Sequence, residues 1–228
     1  MGREVRVQIY TMQSVTEAEG VAALGVDHIG VTPSHRGLPG EVGFPLAAEI
    51  CAAVTGVATS VALTVEVDIG AIEDMVRAVK PDIVHLCGPP GAVDPAAVDE
   101  LRRDLSDVAV MQAVAVTGPE AMDVARSYED VADYLILDSV APGIPGVGAA
   151  GTVHDWEVSA AIVADVGLPV VLAGGLSPDN VAEAVAVVDP WGVDSLTHTS
   201  RPDGVGGFRK DLDLVSRFVA AARSTVAS

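Results

Sequence analysis

Pro169-Val170-Val171-Leu172-Ala173 runs into Gly174-Gly175-Leu176 and then into Ser177-Pro178-Asp179-Asn180. A short aliphatic run bounded by proline and glycine is the pattern of a strand buried on both faces. The paired glycines allow a tight exit. Ser177-Pro178 then offers a hydroxyl that can cap a helix and a proline suited to its first position, and the Ala- and Val-rich segment beyond has helical period. The stretch therefore reads as one strand-to-helix unit of a parallel sheet.

The same unit recurs outward in both directions. Strands are predicted over 5–12, 28–32, 61–67, 82–87, 108–116, 134–138, 169–173 and 192–197, with helical segments between them and a last helix over 212–222. Ser14-Val15-Thr16-Glu17 has the form of a capping box closed by Gly25, and Asp94-Pro95 opens another helix. Eight units in 228 residues suit a closed (β/α)8 TIM barrel of class α/β better than an open doubly wound sheet, which would use fewer strands for this length. No linker-like composition splits residues 1–228, so a single barrel domain is expected.

Composition agrees with that layout. Half the residues are hydrophobic but only 4% aromatic, so Val, Ala, Leu and Ile must fill the core. Asp and Glu number 32 against 13 Lys and Arg, a net charge of -19, which repels nucleic-acid phosphates and anionic membranes. Lysine occurs only at Lys80 and Lys210, a scarcity that fits a high-GC genome or adaptation to salt equally well. With no long apolar run and no signal-peptide pattern, a cytoplasmic protein is expected. Cys51 and Cys87 lack metal-type spacing and read as reduced thiols.

In a (β/α)8 barrel the chemistry sits at the strands' C-terminal ends. Polar residues fall there at Gln8, Tyr10, Glu66, His85, Cys87, Gln112, Asp138, Thr197 and His198. Gly174 and Gly175, after the seventh strand, suit a phosphate cradle of backbone amides, with Thr197-His198-Thr199 as its other wall.

Several stretches then resemble the phosphoribosylanthranilate isomerase family over almost the whole chain. They are Val26-Asp27-His28-Ile29-Gly30, Asp82-Ile83-Val84-His85-Leu86-Cys87-Gly88, Tyr134-Leu135-Ile136-Leu137-Asp138, His154-Asp155-Trp156, Leu172 to Asn180, and Gly192-Val193-Asp194. The resemblance implies an Amadori rearrangement in tryptophan biosynthesis or a paralogous pathway, without cofactor or metal. An aminated ribose 5-phosphate opens to a Schiff base and becomes a 1-amino-ketose. The small phosphosugar is the implied partner, and the chain is expected to be a monomer or homodimer.

Such a reaction needs an acid at the ring oxygen and a base at the C2 proton. Asp138 matches the family's acid. Where the family carries Lys-Ile-Cys-Gly with its basic cysteine, this chain has Gln8-Ile9-Tyr10-Thr11. A phenol with an ordinary pKa of about 10 does not replace a thiolate near neutrality. His85 is the preferred substitute, because imidazole titrates near the working pH, and a hydrogen-bonded interior histidine is its structural alternative. Cys87, on the same strand face, comes second. Arg36 in Ser34-His35-Arg36 is the candidate for a substrate carboxylate, and Gly148-Ala149-Ala150-Gly151 stands in place of a more glycine-rich loop. Two other classes remain at this stage. One is a metal-dependent epimerase or aldolase with His85, Asp138, His198 and Glu66 converging on an ion; the other is a noncatalytic phosphosugar-binding barrel that has lost its base.

Overall fold

The computed structural model describes residues 4–140, 146–147, 153–204 and 206–224. Eight parallel strands close on themselves in chain order: β1 (Arg6–Ile9), β2 (His28–Val31), β3 (Thr59–Thr64), β4 (Ile83–Leu86), β5 (Ala109–Ala115), β6 (Tyr134–Asp138), β7 (Val170–Leu172) and β8 (Gly192–Ser195). The helices between them are α1 (Val15–Ala22), α2 (Phe44–Ala53), α3 (Ile69–Val79), α4 (Pro95–Asp104), α5 (Ala121–Ser127), α6 (Trp156–Asp165) and α7 (Val181–Val188), with α8 (Leu212–Ser224) following β8. This is the (β/α)8 barrel read from the sequence.

Period-two alternation divides each strand between two cores. Outward residues such as Val7, Ile9, Val84 and Leu135 pack under the helices with Phe218 of α8. Inward residues Val61, Ile83, Met111, Ile136 and Val171 fill the barrel itself. At the base of the barrel His28, Tyr134 and Trp191 meet at ring-centroid distances of 5.4–6.2 Å.

Alternate strands share a further device. Asp27, just ahead of β2, accepts from Val7 N at 2.8 Å; Asp82, ahead of β4, from Ser60 N at 2.7 Å; and Asp133, ahead of β6, from Val110 N at 2.9 Å. Each carboxylate satisfies an amide at the entrance of the preceding strand, so part of the chain's acidity is structural.

Several boundaries differ from the sequence expectation. β3 ends at Thr64 and not at 67, because Thr64 Oγ1 accepts from Glu66 N at 3.0 Å and turns the chain. β8 ends at Ser195, and Thr197–Thr199 form a 3-10 turn. At α1 the Ser14 hydroxyl accepts from Glu17 N as expected, but the Glu17 carboxylate reaches Gln13 N in place of Ser14 N. A hairpin of β9 (Ser200–Pro202) and β10 (Phe208–Lys210), unforeseen in the sequence, folds over the β1–β8 seam. It is hooked to the first unit by Gln13 donating to Phe208 O and by Lys210 N donating to Glu17 at 2.6 Å. Among the described residues no helix is long and apolar enough to cross a membrane.

Candidate active site

A cavity of about 850 Å³, its open mouth included, lies at the C-terminal end of the barrel. Of the residues singled out in the sequence, Tyr10, His85, Cys87, Asp138, Gly174, Gly175, Thr197 and His198 all line it. Arg36 does not. It stands at the rim in a 2.7 Å ion pair with Glu66, on a loop whose amides at Arg36, Gly37 and Leu38 are gathered by the Glu41 carboxylate.

The turn after β7 is built for close approach to its backbone. Gly174 and Gly175 have φ values of 83° and 65°, the left-handed region that glycine enters without strain. A Cβ on Gly174 would lie 2.7 Å from His154 Nδ1 and 3.3 Å from Asp138 Oδ1. Asn180 braces the turn, accepting from Ser177 N at 2.7 Å and donating to Gly175 O at 3.1 Å. Ser177-Pro178 thus belongs to the turn, and the residue that opens α7 is Asn180. The expected helix cap shifts by one turn because Asn180 ties down the preceding loop first.

The facing wall at Thr197 and His198 is held from below. Ser195 Oγ donates to Leu176 O at 2.9 Å, joining the two walls. The buried Lys210 ammonium donates to Leu196 O at 3.1 Å and Ser200 Oγ at 2.7 Å, and burial draws its pKa down to about 7.

Inside, the groups differ sharply in protonation. Burial pushes the Asp138 carboxyl up to about 7, although Ser139 N donates to it at 2.7 Å and the Ser139 hydroxyl at 3.3 Å. His85 Nδ1 and Tyr10 Oη share a 3.0 Å hydrogen bond. Burial takes that imidazole down to about 3 and holds the phenol well above its ordinary value. Cys87 Sγ donates to Val147 O at 2.6 Å, and burial raises the thiol to about 12. The Tyr10 ring fits only because Gly30 on β2 is bare: a Cβ there would sit 2.1 Å from the ring.

Three cavity-side residues were not singled out for chemistry in the sequence. Asp194 lines the cavity from β8, in register with Gln8. Burial raises its carboxyl and the nearby Asp138 adds to the rise, while Gln8 and Lys210 pull it back. His154 Nδ1 is buried without a hydrogen-bond partner, and its Nε2 meets Ser159 Oγ at 2.8 Å. Lys210 sits on a hairpin with no strand-length signal. For Asp194 the signal was inward alternation from Gly192; for His154 it was only position, five residues before Ser159 on a helix start.

A family model described as N-(5'-phosphoribosyl)anthranilate (PRA) isomerase matches residues 34–221. The chain belongs to the phosphoribosylanthranilate isomerase family. It is 36% identical over 222 residues to the N-(5'-phosphoribosyl)anthranilate isomerase of Haloferax volcanii, covering 96% of this chain and 93% of the relative. The solved phosphoribosyl anthranilate isomerase of Thermotoga maritima superposes with a TM-score of 0.78 at 25% identity, over 96% of this chain and 98% of that one. A further solved phosphoribosyl anthranilate isomerase, in complex with reduced 1-(o-carboxyphenylamino)-1-deoxyribulose 5-phosphate, has a TM-score of 0.76 at 24% identity, with coverage of 96% and 98%.

Neither family membership nor geometry favours the metal-dependent alternative. Glu66 is engaged with Arg36 at the rim, and His85 is bonded to Tyr10 on the cavity floor. Among the described residues no three His, Cys, Asp or Glu side chains are grouped to hold a metal ion. The family's mobile-loop counterpart, Gly148 to Gly151, lies outside the described residues.

Proposed function

We propose that this chain catalyses the Amadori rearrangement of N-(5'-phosphoribosyl)anthranilate to 1-(o-carboxyphenylamino)-1-deoxyribulose 5-phosphate, the isomerase step of tryptophan biosynthesis. The observation that carries this assignment is the pairing of a glycine cradle at Gly174-Gly175 with a buried carboxyl, Asp138, in one cavity of a chain of this family.

In this assignment the substrate phosphate lies between the amides of the β7 turn and the Thr197-His198 wall, where backbone donors and one imidazole answer its charge. The ribose then extends toward Asp138. Desolvation lifts the Asp138 carboxyl to about 7, so part of it carries a proton near neutrality and can give that proton to the ring oxygen as the C1–O bond breaks. Arg36 exchanges the Glu66 carboxylate for that of the anthranilate ring, a trade between equivalent partners that costs little net ion pairing. Tyr10, His85 and Cys87 form the floor beneath the sugar.

The test is direct. Purified protein given freshly formed phosphoribosylanthranilate should consume its fluorescence and yield the aminoketose, and the gene should restore growth without tryptophan to a strain lacking the isomerase. Tight binding of the reduced product analogue with no turnover and no complementation would instead identify a noncatalytic phosphosugar-binding protein.

A further inference from the structure

We propose that Asp194 is the general base of this isomerisation, acting beside Asp138 within the same cavity. The proposal rests on the isomerase assignment above and adds the group that removes the C2 proton.

The evidence begins with position. Asp194 is buried at 8% exposure and lines the cavity from β8, the strand that closes the barrel onto β1. Its register partner is Gln8, two residues before Tyr10 and on the same inward face. A carboxylate here reaches the space above the β1 position from the adjacent strand. Asp194 Oδ1 and Gln8 Nε2 are both fully buried without a well-formed hydrogen bond, and Gln8 is the side-chain donor that acts on this carboxyl. An acceptor left this loosely satisfied in a dry cavity is open to use by a ligand or a reaction.

The other floor groups are already committed. Cys87 donates its thiol proton to the Val147 carbonyl, and Tyr10 and His85 are bonded to each other. Each is held in its neutral form by burial, with the imidazole too weakly basic to hold an abstracted proton. The charged and titratable groups facing Asp194 are Asp138 from β6, Lys210 from β10, and Tyr10 and Cys87 from β1 and the end of β4. Burial holds Asp138 at about 7 and Asp194 at about 8, and two such carboxyls in one dry cavity do not ionise together readily at rest, so the pair keeps a single shared proton that either carboxyl can hold. One proton on two carboxyls supplies an acid and a base at the same pH.

The steps balance. Asp138 protonates the ring oxygen, the C1–O bond breaks, and the nitrogen lone pair forms the C1=N bond of a protonated Schiff base. Asp194 takes the C2 proton; the C2–H electron pair becomes C1=C2, and the C=N pair returns to nitrogen, giving a neutral enolamine. The enol proton then passes to Asp138 as C2=O forms, and the C1=C2 pair takes the proton held by Asp194. Both carboxyls return to their starting states and the product is an isomer of the substrate.

The experiment compares wild type, Asp194→Asn and Asp194→Ala in turnover of phosphoribosylanthranilate and in binding of the reduced product analogue. Asp194→Asn should lower kcat at least 100-fold while the analogue Kd stays within about threefold, a split that loss of packing alone would not produce. Added formate should raise the turnover of Asp194→Ala at least tenfold. Asp194→Asn with more than a third of wild-type kcat overturns the proposal. If Asp194→Asn fails to fold or to bind the analogue, formate decides: rescue of Asp194→Ala supports the base, and its absence overturns it. A wild-type chain that binds the analogue without turnover overturns the isomerase assignment and this inference with it, whereas an active wild type with an active Asp194→Asn removes only the inference.

Discussion

Asp138 shows how one residue joins stability to chemistry. Asp138→Asn keeps the shape and the Ser139 contacts but removes the transferable proton, so kcat should fall 100-fold or more with analogue binding within threefold; steady-state kinetics beside calorimetric titration checks this. The same carboxyl makes a prediction about pH. Its folded-state pKa of about 7 lies above the ordinary carboxylate value, so the native state holds a proton that the unfolded state releases. The stabilisation is complete below about pH 4 and is lost as pH rises through about 7. Wild-type Tm should therefore drop relative to Asp138→Asn between pH 5 and 8, with the gap widening by roughly 5 °C or more. Parallel Tm curves for the two proteins would show that Asp138 is not desolvated. The position of Asp138 was legible because it ends an apolar strand. The tie between His85 and Tyr10 was not, since it joins strands 75 positions apart in sequence and depends on ring orientation.

At the scale of elements, the bare Gly30 on β2 and the Tyr10 ring on β1 are two halves of one packing solution. Gly30→Ala should destabilise the fold by about 1–3 kcal/mol, because the new methyl would lie 2.1 Å from the buried Tyr10 ring, which must shift from its place against His85. Combined with Tyr10→Cys, the same substitution should cost less than about 0.5 kcal/mol; urea unfolding of the two single variants and the double variant measures the coupling, and additive effects would refute it. Strand and helix order could be read from periodicity because each unit buries one face against the next. The caps were less legible: Ser177-Pro178 looks like a helix opening, yet Asn180 wins by bonding the turn behind it. The β9–β10 hairpin escaped notice because strands of three residues leave no alternation to detect.

For the whole molecule, charge sets the solution behaviour. Most arginines are already engaged in exposed ion pairs with Asp or Glu, such as Arg126 with Asp165 and Arg217 with Asp179, pairs that solvent and salt screen. A net charge of -19 leaves many carboxylates without a cation, so mutual repulsion outweighs those pairs. Raising NaCl from about 0.02 M to about 1 M shortens the Debye length to roughly 3 Å and should raise Tm by several degrees at pH 7.5, measured by thermal scanning. A falling Tm would mean that the ion pairs dominate. The barrel itself was visible in the sequence, as was the end of it that carries the cavity. The approach of Asp194 to Gln8 and of Lys210 to Glu17 was not, because closure between the first and last strands creates it.

That closure has a consequence for how the protein comes into being on the ribosome. Phe208 and Lys210 are translated nearly two hundred residues after Gln13 and Glu17, the groups they lock in place, and Lys210 also props the turn at Leu196. A nascent chain halted before the hairpin has made all eight barrel strands but has neither fastened its first unit nor braced one side of its anion pocket. Competence therefore arrives only once the hairpin has been made and joined to Gln13 and Glu17.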